Sequence, residues 1–307
     1  MSVITYVENY IRCKIVGTYI RHDQLTTASL ILMTILAKCF LTLVPIFIKF
    51  TSSNIWTIGI FRLTITCSFF FLIARKGFLE SLKKVWILGP LFFIHWITYF
   101  IAVKVSDPST AVIGLSSYGF ILLIYSRIFF KKPIRFEYYF GVILALSGTY
   151  IAVGEFSFEN EQFLGLLWGV ASAIAYGLLP IIHQKNPGVP TKHKAFSQFF
   201  GAFIIFLLAG SHRFELETSV ANISSLLYLA VGGTIIGHTL WVKVTESLST
   251  SLTSSIYYLA IPISMLFEWS ILDIEINSGK LFGGLLIVLG NVFVFTITSR
   301  FPKTTPQ

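Results

Sequence analysis

Phe199–Leu208 is ten apolar residues in unbroken order, and Leu30–Leu36 is interrupted only by Thr34. Comparable runs occupy 28–48, 55–74, 85–104, 109–130, 137–153, 163–183, 195–211, 223–242, 250–271 and 281–298 of the 307 residues. A helix needs about 20 residues to cross a hydrocarbon core of about 30 Å. In lipid, backbone polar groups must pair inside their own segment, so the runs read as helices. A membrane β-barrel would instead alternate apolar and polar residues in segments of about ten. The chain is 55% hydrophobic and 12% charged, about half the charge of a soluble domain. Folded in water it would expose large apolar patches and aggregate. Soluble and disordered folds are thereby excluded, and Cys13, Cys39 and Cys67 are too few and scattered for a disulfide scaffold. The expected fold is an all-α integral membrane protein of ten transmembrane helices.

The segment before Ala28 mixes Glu8, Arg12, Lys14, Arg21 and Asp23 with short apolar stretches. That is not the pattern of a cleaved signal peptide, so the first apolar run is expected to be retained as a span. Loop charges then set the orientation. With residues 1–27 and the tail 299–307 cytosolic, the cytosolic segments hold 17 of the 23 Lys and Arg. The opposite side holds Lys49, Lys104, Arg213 and Lys280 beside acids that include Asp107, Glu159, Glu217 and Glu275. This is the positive-inside bias over short loops. A multi-pass protein of the cell (inner) membrane with both termini cytosolic is expected. The net charge of +9 is thus spread over every second loop. A nucleic-acid footprint would be gathered on one face, so no nucleic-acid partner is expected.

Two internal matches suggest duplication. Leu43-Val44-Pro45-Ile46 matches Leu178-Leu179-Pro180-Ile181, and Phe140-Gly141 with Gly148 matches Phe282-Gly283 with Gly290. Five spans per half make the halves, 28–153 and 163–298, insert in opposite orientations. That is the inverted-repeat plan of many secondary transporters, which hold substrate near the midplane between the halves.

Over about 28–298 the chain resembles the drug/metabolite transporter superfamily, in particular its EamA-type members. Arg62 in Ile60-Phe61-Arg62-Leu63 is similar to the family's second-helix Arg, and Pro262 and Glu275, followed by Gly283 and Gly290, are similar to its C-terminal pattern. The first repeat departs from it, with Tyr118-Gly119-Phe120, Lys131-Lys132-Pro133 and Lys38-Cys39 at the corresponding places. The resemblance implies ten helices in two inverted repeats and transport of small organic metabolites, with amino acids or related compounds favoured.

Signatures of a membrane enzyme, the main rival, are missing. The histidines His22, His95, His183, His193, His212 and His238 form no closely spaced metal-ligand cluster. There is no GxxxxGK[ST] phosphate loop and no G-x-S-x-G elbow. No catalytic residue, metal or cofactor is expected. A non-transporting scaffold or receptor is the second rival.

Ionisable side chains inside spans remain. Each costs about 2.5–3.5 kcal/mol at a helix centre on insertion scales, and such groups normally face a bundle interior or a water-filled cavity. Lys38, Arg62 and His95 are candidate substrate-binding residues, with Tyr99, Tyr118, Tyr176 and Tyr257 as aromatic walls. His95, His238 and Glu268 are candidate carriers if protons are the coupling ion. Glu268 is expected near the outer boundary, in reach of water, and Trp56, Trp86, Trp241 and Trp269 read as interfacial belt residues. Lys38 needs a carboxylate, water or a bound anion for its charge. With Arg62 on the next span, the cavity should be positive and suit a carboxylate-bearing metabolite better than a cation.

Overall fold

Asn54 starts one of the longest helices by accepting hydrogen bonds from the Trp56 and Thr57 amides at 3.0 and 2.9 Å. The side chains of Asp107, Asn160 and Ser219 cap three other helices in the same way. A side-chain oxygen there satisfies an amide that has no partner within the helix. Gly77, at φ 74°, turns the chain between two helices, a conformation glycine adopts without a Cβ clash. The structure is a computed structural model that describes residues 27–131, 136–248, 253, 256–258 and 260–300.

In chain order the helices are α1 Thr27–Thr42, α2 Val44–Phe50, α3 Ile55–Ala74, α4 Phe78–Val85, α5 Leu88–Val105, α6 Pro108–Ser116, α7 Tyr118–Phe130 and α8 Phe136–Val153. They continue with α9 Glu161–Lys185, α10 Thr191–Gly210, α11 Val220–Tyr228, α12 Leu229–His238, α13 Thr239–Ser247, α14 Ala260–Leu272 and α15 Ser278–Arg300. No strand occurs among the described residues. Among the described residues seven stretches are long and apolar enough to cross a membrane: Ser29–Phe50, Ile55–Ala74, Leu88–Val105, Pro108–Phe130, Glu161–Lys185, Thr191–Arg213 and Val220–Ser247. Shorter apolar helices, Tyr138–Val153, Ala260–Leu272 and Ser278–Gly290, lie where the fifth, ninth and tenth spans are expected. The expected terminal segments fall almost wholly outside the described residues, as do 249–252, 254, 255 and 259 at the start of the ninth span.

Three expected spans are not single plain α-helices: the run 28–48 breaks at Leu43 into α1 and α2. The run 109–130 breaks at Ser117 into α6 and α7. Within 223–242, residues Leu229–His238 form a π-helix, α12. Hydrophobicity does not distinguish α from π winding, so the sequence gives no warning of it. The wider turn is a feature found most often at functional sites.

The helices pack in a connected bundle. α9 lies against α5, α6, α7 and α13; α1 lies against α12, α13 and α14; α3 packs against α10, α6 against α14, and α8 against α15. Glycines let backbones meet at several crossings. A Cβ on Gly89 would stand 2.5 Å from the Gly201 Cα, and one on Gly169 would stand 2.9 Å from the Gly114 Cα. At the α8–α15 crossing, a Cβ on Gly148 would stand 2.4 Å from the Gly283 oxygen, and one on Gly290 would stand 3.3 Å from the Gly141 oxygen. Small residues at such crossings allow the close van der Waals packing that joins helices in lipid.

Candidate functional site

Lys38 on α1, Arg62 on α3, His95 and Tyr99 on α5, Tyr176 on α9, His238 on α12 and Tyr257 line one cavity of about 50 Å³ in the bundle. That is room for a few waters at about 10–15 Å³ each. Tyr118 backs the wall, with its ring centroid 4.9 Å from that of Tyr176 and 4.6 Å from that of Tyr257. Among the expected site residues only Glu268 lies elsewhere. Trp96, Phe100, Val112, Leu115 and Ala260 complete much of the lining, and no Asp or Glu is among the described lining residues.

Lys38 has partners the sequence reading did not consider. Its ammonium stands 3.8 Å from the Tyr257 ring centroid and 4.2 Å from that of Trp241. Ring faces attract cations through their quadrupole, more strongly when the pair is desolvated. Trp241 is therefore no interfacial belt residue: it is 3% exposed and packs beside Lys38 and Tyr257 behind the cavity. Its position toward a span end disguised it. Trp86 and Trp269 are exposed, as belt residues should be, whereas Trp56 packs edge-on against Phe206 at 5.9 Å.

Arg62 is wholly buried. Its Nε and Nη2 donate to Thr234 Oγ1 at 3.2 and 3.0 Å, and its guanidinium lies 3.9 Å from the Trp96 ring centroid. Thr234 belongs to the π-helix and passes its own proton to the Leu229 carbonyl at 2.7 Å, five residues back. Arg62 Nη1 has no hydrogen-bond partner. A buried charged donor left unmade is costly, so this atom marks where an acceptor fits.

His95 stacks on Tyr176 with centroids 4.1 Å apart and meets His238 edge-on at 6.4 Å. Ser172 Oγ donates to the His95 carbonyl at 2.8 Å and lies 2.7 Å from His95 Nδ1. Because the hydroxyl has one proton and gives it to the carbonyl, it accepts from Nδ1–H. The neutral ring then keeps Nε2 as an acceptor. Neither Ser172 nor Thr234 carried a sequence signal, since hydroxyls are common in apolar helices.

Glu268 departs from expectation. It is 0% exposed, far from an acid reaching outer water, and its Oε2 accepts from the Ser109 amide at 2.6 Å. Lys280 Nζ lies 3.7 Å from its Oε1 and also pairs with Asp107. Glu275, singled out by the family pattern, is exposed. Lys194, one residue before the expected span 195–211 and so among the 17 cytosolic-side Lys and Arg, is likewise buried and pairs with Glu246 at 2.9 Å. No group of three His, Cys, Asp or Glu suited to a metal ion occurs among the described residues.

The described residues thus form a bundle of apolar helices with two cations and stacked aromatics around an internal cavity. Residues 163–296 match the model of the EamA-like transporter family, so this segment is similar to an EamA-like transporter domain. Of the 23 solved chains that match, one described only as "Crystal structure of protein" is 18% identical. It superposes with a TM-score of 0.68, covering 90% of this chain and 99% of that one. At that identity the likeness concerns the fold. No curated protein matches the sequence.

Proposed function

We propose that the chain is a secondary-active transporter of a small carboxylate-bearing metabolite, an amino acid or a related compound, working by alternating access. The observation that carries this reading is the cavity's charge: Lys38 and Arg62 line it, and among the described residues Arg62 Nη1 is unbonded and no carboxylate joins them. An anionic group supplies the missing acceptor, while the tyrosine faces and the His95 acceptor suit an amine or apolar portion. Ten spans in two inverted repeats, 28–153 and 163–298, complete the proposal, in the cell (inner) membrane with both termini cytosolic. The helix pairings support it, because exchanging the halves carries the α9–α5 pairing onto α1–α12 and maps α8–α15 onto itself. The Gly148–Gly283 contact maps in the same way onto Gly141–Gly290.

Thermal-shift screening of the purified protein against amino acids and other carboxylates tests the reading, since ligands that bind the native state raise its stability. A hit should accumulate or exchange in sealed vesicles, and Lys38→Met should abolish its binding while the protein stays monodisperse. Transport at the wild-type rate by that variant, or a best ligand that is a cation without an acidic group, would overturn the substrate reading.

A further inference from the structure

Two carboxylates and one ammonium are buried together away from the cavity. Asp107 caps α6, Glu268 lies toward the end of α14, and Lys280 stands in the first turn of α15; all three are less than a tenth exposed. Lys280 Nζ bonds Asp107 Oδ2, and Asp107 Oδ1 accepts from the Thr110 amide at 2.8 Å and the Ser109 hydroxyl at 3.0 Å. Glu268 Oε2 is taken by the Ser109 amide, whereas its Oε1 has no hydrogen-bond partner and stands 3.7 Å from the ammonium. The neighbouring cations are otherwise engaged. Lys49 on α2 donates to the Ser106 and Lys104 carbonyls at 2.5 and 3.3 Å, and Lys104 on α5 donates to the Thr51 carbonyl at 2.6 Å. From α9 comes Gln162, bonded to Thr110, and the end of α8 presents Ile151 and Ala152 to α15. Asp273 and Glu275, beyond α14, are exposed.

With all three groups ionised the cluster holds one uncompensated negative charge in a buried site. A lone buried charge is far costlier than a paired one, and a titratable group avoids it by neutralising. The ammonium already occupies the space between the carboxylates, which leaves a proton as the neutralising cation. We propose that Asp107, Glu268 and Lys280 form a one-proton site, with the proton bonded to Glu268 Oε1, and that this site couples a pH gradient to transport. A proton from water adds to Oε1 to give a neutral carboxyl, and its release restores the carboxylate; nothing is oxidised or reduced. The helices that hold the site also line the cavity, α6 through Val112 and Leu115 and α14 through Ala260. Eight residues separate Ala260 from Glu268, about 12 Å at 1.5 Å per residue. The coupling role rests on the transporter reading above, whereas the proton site does not.

Infrared difference spectra of the full chain, taken between alkaline and acid pH, test the charge count. A carboxyl shielded from water has a C=O stretch at higher frequency than exposed ones. Wild type should show one such band, Glu268→Gln none, and Lys280→Met two. Asp107→Asn should also show none, because Lys280 then neutralises Glu268 without a proton. A wild type with no shielded band, or a Glu268→Gln variant that keeps it, overturns the site; a band that survives in Asp107→Asn overturns the charge count. For coupling, vesicles containing a pH-sensitive dye receive a mixture of the common amino acids. Wild type should move protons with them, and Glu268→Gln should exchange amino acids with no dye response. Equal responses overturn the coupling role. No amino-acid movement by wild type counts against the transporter reading, and the infrared result stands apart from it.

Discussion

Arg62 and Thr234 meet through a two-to-one hydrogen bond: Nε and Nη2 of the guanidinium share a single hydroxyl oxygen at 3.2 and 3.0 Å. The hydroxyl accepts both because its own proton goes to the Leu229 carbonyl, a bond spanning five residues of π-helix. Hydrogen bonds to a charged group contribute about 1.5–3 kcal/mol. Thr234→Val should therefore lower the denaturation midpoint clearly, and Thr234→Ser should lower it little. Equal midpoints for the Val variant and wild type would show that the Trp96 and Phe100 rings hold Arg62 without the hydroxyl.

Trp241 offers one of the two ring faces beside the Lys38 ammonium. A desolvated cation–π contact is worth about 2 kcal/mol and an exposed one about 0.5–1 kcal/mol. Trp241→Phe keeps a face and Trp241→Leu does not. The Leu variant should be the less stable of the two, and the difference should vanish in a Lys38→Met background. Persistence of the difference without the lysine would assign it to packing.

The glycine crossings predict a sharp positional contrast. A methyl at Gly148 would meet the Gly283 carbonyl at 2.4 Å, whereas nothing stands within 4 Å of one at Gly188. Gly148→Ala should lose about 1–3 kcal/mol by overpacking, and Gly188→Ala should be near neutral. Matched melting curves for the two variants would refute the close α8–α15 approach.

Loop charge predicts topology. Reporter fusions at Lys76, Lys132, Lys192 and the C-terminus should read cytosolic, and those at Glu159 and Glu217 external. An external C-terminus would reverse the orientation and break the even span count.

Asp107, which precedes α6, supplies a pH dependence. Burial pushes its carboxyl up, but the Lys280 ammonium and the Thr110 amide outweigh burial and hold it below the usual carboxylate range. A depressed folded-state value stabilises the protein above the unfolded value, about 3.9. That stabilisation is lost as pH falls through the folded value. In a Glu268→Gln background, where Lys280 serves Asp107 alone, stability measured down through acid pH should fall more steeply than in the Glu268→Gln/Asp107→Asn double variant, and parallel curves would contradict the assignment.

Much of the site was legible because charge inside an apolar run is rare. Lys38, Arg62 and His95 stood out for that reason, and the cavity gathers all three with Tyr99, Tyr176, His238 and Tyr257. Their holders were not legible. Thr234 reaches Arg62 from a π-helix that hydrophobicity cannot reveal, and Ser172 resembles any small helix-packing residue. Trp241 carried a misleading signal, since a Trp near a span end is usually interfacial. Lys280 and Lys194 were assigned to loops because span ends are uncertain by several residues, and one helical turn there separates a solvated lysine from a buried pair.

The Gly89–Gly201, Gly114–Gly169 and Gly148–Gly283 approaches bear on how such a bundle moves. Helices usually lock by seating ridges of side chains in each other's grooves, so displacement along the contact must lift one row over the next. Where backbone lies on backbone there are no teeth to lift. These approaches suit shear, a small sliding of packed helices, because neither glycine puts a side chain between the two backbones. The clearance is set by the absence of a single carbon atom, and any residue larger than glycine seizes the joint.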